Sequence, residues 1–395
     1  MAHLVVRNLG PIVEADLDLA RVNVFMGPQS SGKSTIVKVL SICRWLEKQY
    51  LLYPNAIASA NIRKLLIDFH RFDEKYFQKE TLIDYVSDII SIRYTEAGNS
   101  EISSKLDVAE LRFEFLSKLA YIPAERNLAA AIPNIIKYAD GRDNLISFLF
   151  DWFDARQQFR ESNRMGVLNL GASYHFNKDS ETDMVTLANG VQLPLKTTSS
   201  GLQSVIPLQL LLDYSCCFLY DHPQALSYKM VDLIRERIKS LQGISENAEK
   251  EIRYLEQVIA GEKNIYRYTQ LFIEEPEQNL YPETQKEFID TLIKALHYDG
   301  FKHRAAITTH SPYILYALNN SMMYHLVGSK LDTETKERLG NLTAIDPNEV
   351  LICEIDKGYV RRIQGEDGLI SANYFDGIMQ GIMDDFYTLL EYYGK

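Results

Sequence analysis

Residues 21–40 read Arg-Val-Asn-Val-Phe-Met-Gly-Pro-Gln-Ser-Ser-Gly-Lys-Ser-Thr-Ile-Val-Lys-Val-Leu. The first six form a short β-rich run, and Thr35 to Leu40 repeat apolar residues at helical spacing. Between them, Gly27 to Ser34 has the form Gly-x-x-x-x-Gly-Lys-Ser. Strand, glycine-rich loop and helix in this order are what a phosphate-binding loop requires. Gly27 and Gly32 permit backbone angles and a close approach that a Cβ would block. The amides of the turn then face a polyphosphate at a helix N-terminus. Lys33 offers a point charge to the β- and γ-phosphates, and the Ser34 hydroxyl is placed to ligate Mg²⁺. Gly27, Pro28, Gln29, Ser30, Ser31, Gly32, Lys33, Ser34 and Thr35 are therefore the expected nucleoside triphosphate site.

Two later segments supply candidates for chemistry. Leu271-Phe-Ile-Glu-Glu-Pro-Glu-Gln-Asn-Leu280 is an apolar strand ending in paired carboxylates. The carboxyl ends of parallel strands are where α/β proteins place ligands. Glu274 is expected to hold the metal's hydration shell, and Glu275 to orient or deprotonate the attacking water. Arg304-Ala-Ala-Ile-Thr-Thr-His310 is a third strand, and His310 at its end is placed to touch the γ-phosphate. A lone histidine at a strand end is usually structural, so it is the company of the other two strands that makes it a candidate.

Upstream of these, Lys196-Thr-Thr-Ser-Ser-Gly-Leu-Gln-Ser204 opens an apolar helix-like stretch. Alone, Ser199, Ser200 and Gly201 would be read as a helix cap. A second anion-binding N-terminus in a chain that already has a phosphate loop suggests service to a neighbouring molecule's nucleotide.

Taken in order, these motifs resemble the ABC ATPases, and among them the SMC, RecF and OLD-like branch. Val5-Val-Arg-Asn-Leu-Gly-Pro-Ile12 resembles that branch's first strand and turn. Glu274 to Pro282 resembles its joined Walker B motif and D-loop, Thr309-His-Ser-Pro312 its H-loop, and Ser199-Ser-Gly-Leu-Gln203 its signature motif. The resemblance implies an α/β P-loop fold of the ABC ATPase type, with a mixed central sheet, a helical subdomain and short helical insertions. It also implies ATP and Mg²⁺ as ligands and a head-to-tail homodimer or higher homo-oligomer. Each ATP would then touch the opposite subunit's Ser199 or Ser200. Three departures stand out. Glu274 occupies the usual Walker B aspartate position, as in OLD-like members. Ala124 stands where the Q-loop glutamine is expected, with Glu125 as a replacement. The tail after Pro312 is short for the nuclease domain of OLD proteins and lacks Asp-x-Asp.

The rest of the chain sets bounds. Its 395 residues, 46% of them hydrophobic, suffice for one large α/β core with or without a smaller lobe. A net charge of −11 disfavours nonspecific adhesion to nucleic acid or anionic membrane. Cys43, Cys216, Cys217 and Cys353 show no metal-ligand spacing and read as reduced thiols. The apolar run Val205 to Tyr220 is broken by Pro207, Gln209 and Asp213, and the N-terminus has no signal pattern. A cytoplasmic protein without a membrane partner is the expectation.

The expected layout is a core lobe from 1–40, 119–127 and 264–395, with a mostly helical insertion at 41–118. Residues 128–227 would be a helical subdomain leading to the signature motif, with a hairpin turn at Ala188-Asn-Gly-Val, and 228–263 a short helical hairpin. The amphipathic stretch Tyr374 to Tyr393 could dock a partner, and packing on the body's own sheet is the simpler expectation. With no effector chemistry of its own in view, the chain reads as an ATP-driven switch for a separate nuclease or toxin, as in prokaryotic defence. A RecF-like DNA clamp is the alternative, and a transporter's nucleotide-binding subunit a distant third.

Overall fold

A computed structural model describes residues 2–53, 60–95, 100–105, 115–132, 141, 143–243, 246–340, 342–371 and 373–393. Among them an eleven-stranded sheet runs in the order β6-β5-β4-β1-β2-β15-β14-β3-β13-β12-β7. The strands are β1 (Ala2–Leu9), β2 (Ile12–Leu19), β3 (Val22–Met26), β4 (Phe77–Val86), β5 (Ile90–Thr95), β6 (Glu101–Ser104), β7 (Ser117–Ile122), β12 (Tyr268–Glu274), β13 (Arg304–Thr309), β14 (Val350–Asp356) and β15 (Tyr359–Arg362). The five strands from β14 to β7 are mutually parallel, while β6, β5, β4, β1 and β2 pair antiparallel. The sheet is therefore mixed, and the fold is α/β.

Composition follows that division. Strands buried on both faces are near-continuously apolar; all five residues of β3 are buried. Their side chains alternate between two cores, one on each face of the sheet. Val22, Val24, Leu271, Ile273 and Ile307 enter one core; Phe25, Phe272 and Ala306 enter the other. The antiparallel half has one solvated face, so Leu4, Val6 and Ile83 are buried while Arg7 and Gln78 to Glu80 are exposed.

Helix α1 (Lys33–Leu52) lies in the second core through Ile36, Val37, Leu40, Cys43 and Leu46, and α2 (Ile62–His70) packs beside it. On the other face sit α3 (Asn144–Arg156), α4 (Ser200–Asp213), α7 (Pro282–Leu296) and α8 (Pro312–Val327). After α4 the chain returns to the second core through α5 (Tyr228–Leu241) and α6 (Glu246–Ile259), which pack on each other with Arg237 Nε 3.3 Å from Glu251 Oε1. The apolar stretch from Ser200 to Asp221 is long enough to cross a membrane, yet it is 78% buried as a core helix. The four cysteines are free thiols.

Three expectations need correction. The 41–118 insertion is not mostly helical: beyond the continuation of α1 and the short α2, its described part adds β4, β5 and β6 to the central sheet. Ile90, Ile92 and Tyr94 alternate inward with period two, a strand signal that the surrounding charges obscure. Residues 54–59, 96–99 and 106–114 of that call lie outside the described residues. The 128–227 region, expected as helices with one hairpin at Ala188-Asn-Gly-Val, has that hairpin in β10 (Thr182–Thr186) and β11 (Gln192–Pro194) but carries more strand than expected. It holds a four-stranded antiparallel sheet, with β8 (Met165–Val167), β9 (Ala172–Asn177), β10 (Thr182–Thr186) and β11 (Gln192–Pro194) against α3 and α4. Finally, α9 (Tyr374–Leu390) does not pack on the sheet, because no residue of it is buried.

Candidate active site

Register decides which residues meet. Met26 pairs with Thr309 and Glu274 with Thr308, so β3, β13 and β12 end together at one edge. The next residue of each strand is Gly27, His310 and Glu275. Three segments far apart in sequence thus converge on one cleft, with β13 seated between the other two strands.

The phosphate loop has the geometry its glycines allow. Gly27 has φ 147°, and a Cβ there would stand 2.4 Å from the Ile355 carbonyl oxygen. Gly32 has φ 106°, and its Cβ would meet Ile12 Cδ1 at 2.4 Å. As the residue preceding α1, Gly32 also brings no capping side chain, which leaves the first-turn amides available to an anion. The Lys33 ammonium donates to the carbonyls of Gly27 (2.9 Å) and Pro28 (2.6 Å). Desolvation lowers its pKa to about 8, against the opposing pull of Glu275 and Glu277. Ser31 Oγ is buried without a hydrogen-bond partner among the described residues, an orphan that a phosphate oxygen would satisfy. These features fit a nucleoside polyphosphate.

A cleft of about 640 Å³ opens above the loop, lined among others by Ser30, Lys33, Ser34, Thr35, Glu275 and His310. Asp73, Lys75 and Tyr76 line it too. No local pattern assigns them to this site, since their approach depends on the Tyr76 carbonyl accepting from the Gly10 amide at 2.8 Å.

At the carboxylate edge, Glu275 sits at φ 45°, a strained angle for a residue with a Cβ. Its amide donates to the Thr308 carbonyl at 3.0 Å. His310 Nε2 donates to Glu275 Oε1 at 3.1 Å, and this bond holds the carboxyl below its ordinary pKa. Glu277, unassigned by sequence, is buried beneath: its Oε1 accepts from the His310 amide while Oε2 has no partner among the described residues. Burial pushes its pKa up.

Glu274 turns away from the cleft lining. Its Oε1 accepts from the Tyr121 hydroxyl at 2.8 Å and lies 3.8 Å from Lys38 Nζ, while Oε2 faces the Ala124 amide at 3.5 Å. Ser34 and Glu274 share no hydrogen bond here, and no cluster of three metal-ligating side chains occurs among the described residues. A Mg²⁺ that keeps most of its water needs only one or two protein ligands and the phosphates. Glu125 is exposed and Ala124 turns its amide to Glu274, so neither reaches the cleft lining.

Arg126 was also missed, and it is fully buried. It donates to the carbonyls of Glu274 (2.8 Å), Glu275 (2.8 Å) and Pro276 (3.3 Å), and its Nε donates to Ser204 of α4 at 3.2 Å. One guanidinium therefore ties the catalytic turn to the helix that begins at the Ser-Ser-Gly motif. Burial lowers its pKa only to about 10, with Glu277, Glu275 and Glu274 opposing, so it stays charged at neutral pH. No motif marked it, because a buried arginine is defined by long-range packing.

Ser199 caps α4, its Oγ accepting from the Leu202 amide at 3.4 Å. Ser199 and Ser200 are exposed, and neither they nor Gly201 line the cleft. Gly201 lies against the turn after the catalytic carboxylates, where a Cβ would stand 3.0 Å from the Asn279 carbonyl oxygen.

A family model described as an AAA ATPase domain matches residues 236–315, the segment that carries Glu274, Glu275 and His310. No curated protein matches the chain. Among solved structures, it is similar to the SMC head domain from Thermotoga maritima, at 11% identity and TM-score 0.39 over 92% of this chain and 98% of that one. It is also similar to MJ1267, an ATP-binding cassette of an ABC transporter in its ADP conformation (11%, TM-score 0.31, 100% of each chain). A third is MJ0796, a dimeric bacterial ABC transporter cassette (10%, TM-score 0.27, 92% and 99%). Likenesses this distant add no weight of their own. Phosphate loop, paired carboxylates and histidine on adjacent strand ends, together with the ATPase-domain match over residues 236–315, mark this chain as an ATPase with a phosphate-binding loop.

Proposed function

We propose that this chain is a switch ATPase in which two copies pair head to tail, each completing the other's ATP site, and that the pairing controls a separate effector protein. One observation carries the reading: Ser199 and Ser200 present an exposed helix N-terminus that the chain's own cleft does not use. An N-terminus of this kind attracts anions, and only a triphosphate in an opposing subunit would extend to it. The γ-phosphate would then supply the differential affinity that shifts the closed state.

Within each site, Lys33 would leave its two carbonyl partners for the β- and γ-phosphates. Tyr76, which also lines the cleft, would be the aromatic side chain available to the base. The Ser34 hydroxyl, with Glu274 through water, would hold Mg²⁺, which when bound screens phosphate charge and fixes phosphate geometry. Glu275 would take the proton of the water attacking the γ-phosphorus. His310 positions that carboxylate and faces the transferred group, and ADP and phosphate leave. A role in prokaryotic defence, kinship with OLD-like proteins and a cytoplasmic setting belong to the same proposal.

The test is the solution mass of Glu275→Gln by light scattering. The account expects doubling with Mg-ATP and none with Mg-ADP. A monomer under both conditions would overturn the pairing.

A further inference from the structure

The C-terminal helix α9 has apolar residues and no core to put them in. Met379, Ile382, Phe386 and Leu389 are 61%, 58%, 55% and 70% exposed. Phe375, Met379, Ile382, Phe386, Leu389 and Tyr393 follow one another at alternating spacings of four and three, the seam of a helix that pairs with a partner. A lone helix of this length is marginal in water, and Gly377 and Gly381 weaken it further. A contiguous exposed apolar face of this kind marks an interaction site.

Only its base is fixed. Asn373 is buried and caps the helix by accepting from the Phe375 amide, and Phe375 packs on the core. Tyr316 of α8 donates to Asp376, and Asn373 Nδ2 donates to Asp376 at 2.7 Å. Because α8 starts two residues after His310, the arm hangs from the helix that leaves the catalytic edge.

Charge decides what covers it. Asp376, Asp384, Asp385 and Glu391 are the charged side chains from Tyr374 to Tyr393, all negative. A second copy in parallel register would set like charges side by side, and an antiparallel copy would bring Asp384 and Asp385 against their equivalents. Neither arrangement forms an attractive pair. We propose that α9 is a docking arm for a different protein, one whose receiving groove is apolar and rimmed by lysine or arginine. This rests on the reading of the chain as a switch that controls an effector, and names the surface through which it does so.

The probe is a four-heptad synthetic helix with leucine at both seam positions and lysine at the flanking ones, beside a twin carrying glutamate for lysine. Anisotropy titrations use the full chain and its Ile382→Asp/Phe386→Asp double variant, whose ATP turnover should be unchanged. The lysine helix should bind about tenfold tighter than its twin, lose that advantage with added salt, and fail on the double variant. Equal binding of both helices, or binding untouched by the double variant, overturns the proposal. So does a nucleotide-independent oligomer that the double variant dissolves, since a second copy would then be the occupant, and so does adsorption to phosphatidylcholine vesicles. Mass measurements on Glu275→Gln separate the two claims. Failed docking with intact ATP-driven pairing sinks the arm alone, whereas docking without pairing sinks the switch.

Discussion

The strand-end edge and the start of α4, the two places proposed for phosphate contact, are finished to different degrees. At the edge, every candidate is held from several sides. Lys33 is bonded to two carbonyls, Glu275 to His310, and the turn around Glu275 is clamped by Arg126. At the α4 N-terminus the hydroxyls stand in solvent, with a single long capping bond at Ser199. Strain at Glu275 persists because its surroundings over-determine it; nothing comparable constrains Ser200. In the proposed two-chain site, one half is then preorganised within the single chain and the other half stands open in solvent. Arg126 touches both halves, through Glu275 and through Ser204.

Breaking the finished half should give the largest effect. Glu275→Gln should lower hydrolysis by about 10²–10⁴-fold while ATP affinity holds, measured by turnover and by fluorescent-nucleotide binding. Ser200→Arg should come next, costing about 10²-fold in turnover with no loss of ATP binding to dilute single subunits. Equal loss in both measurements would erase the contrast. Lys33→Ala should weaken ATP binding by about ten- to a hundred-fold, the worth of a charge-assisted bond. Arg126→Ala leaves buried carbonyls unsatisfied and should cost about 3 kcal/mol of stability, with Arg126→Lys recovering part of it. Both are read by denaturant melts. The smallest effect is pH dependence. Lys33 must be charged to bind phosphate, so ATP affinity should drop several-fold as pH rises through about 8. The same depressed pKa means the folded chain binds fewer protons than the unfolded one above that point, so this group's contribution to stability rises there with pH.

What could be read from sequence was whatever local chemistry enforces. The strand–loop–helix around Gly27 and Gly32 was legible because only glycine tolerates those angles and contacts. Glu274, Glu275 and His310 were legible as strand ends, though the tilt of Glu274 toward Tyr121 was not. Tyr76, Glu277 and Arg126 are invisible in sequence, since their roles arise from residues 33 to 148 positions apart meeting in space. The 77–104 strands are hidden for another reason: Gln78, Lys79 and Glu80 interrupt the period-two pattern at the start of β4, in the half of the sheet with a solvated face. For α9 the sequence shows the amphipathic stretch and leaves its destination open between a partner and the chain's own sheet, because periodicity shows that a face wants cover without saying whose; the absence of buried residues in α9 tells against the sheet.

The most direct test of a site shared between subunits is a mixture. Lys33→Ala and Ser200→Arg chains, each strongly impaired alone at an ATP concentration below the Lys33→Ala affinity, carry complementary intact halves. Mixed in equal amounts they should recover about a quarter of wild-type turnover, since half the pairs are mixed and one of their two sites is whole. Turnover that stays at the level of the separate variants would contradict the account.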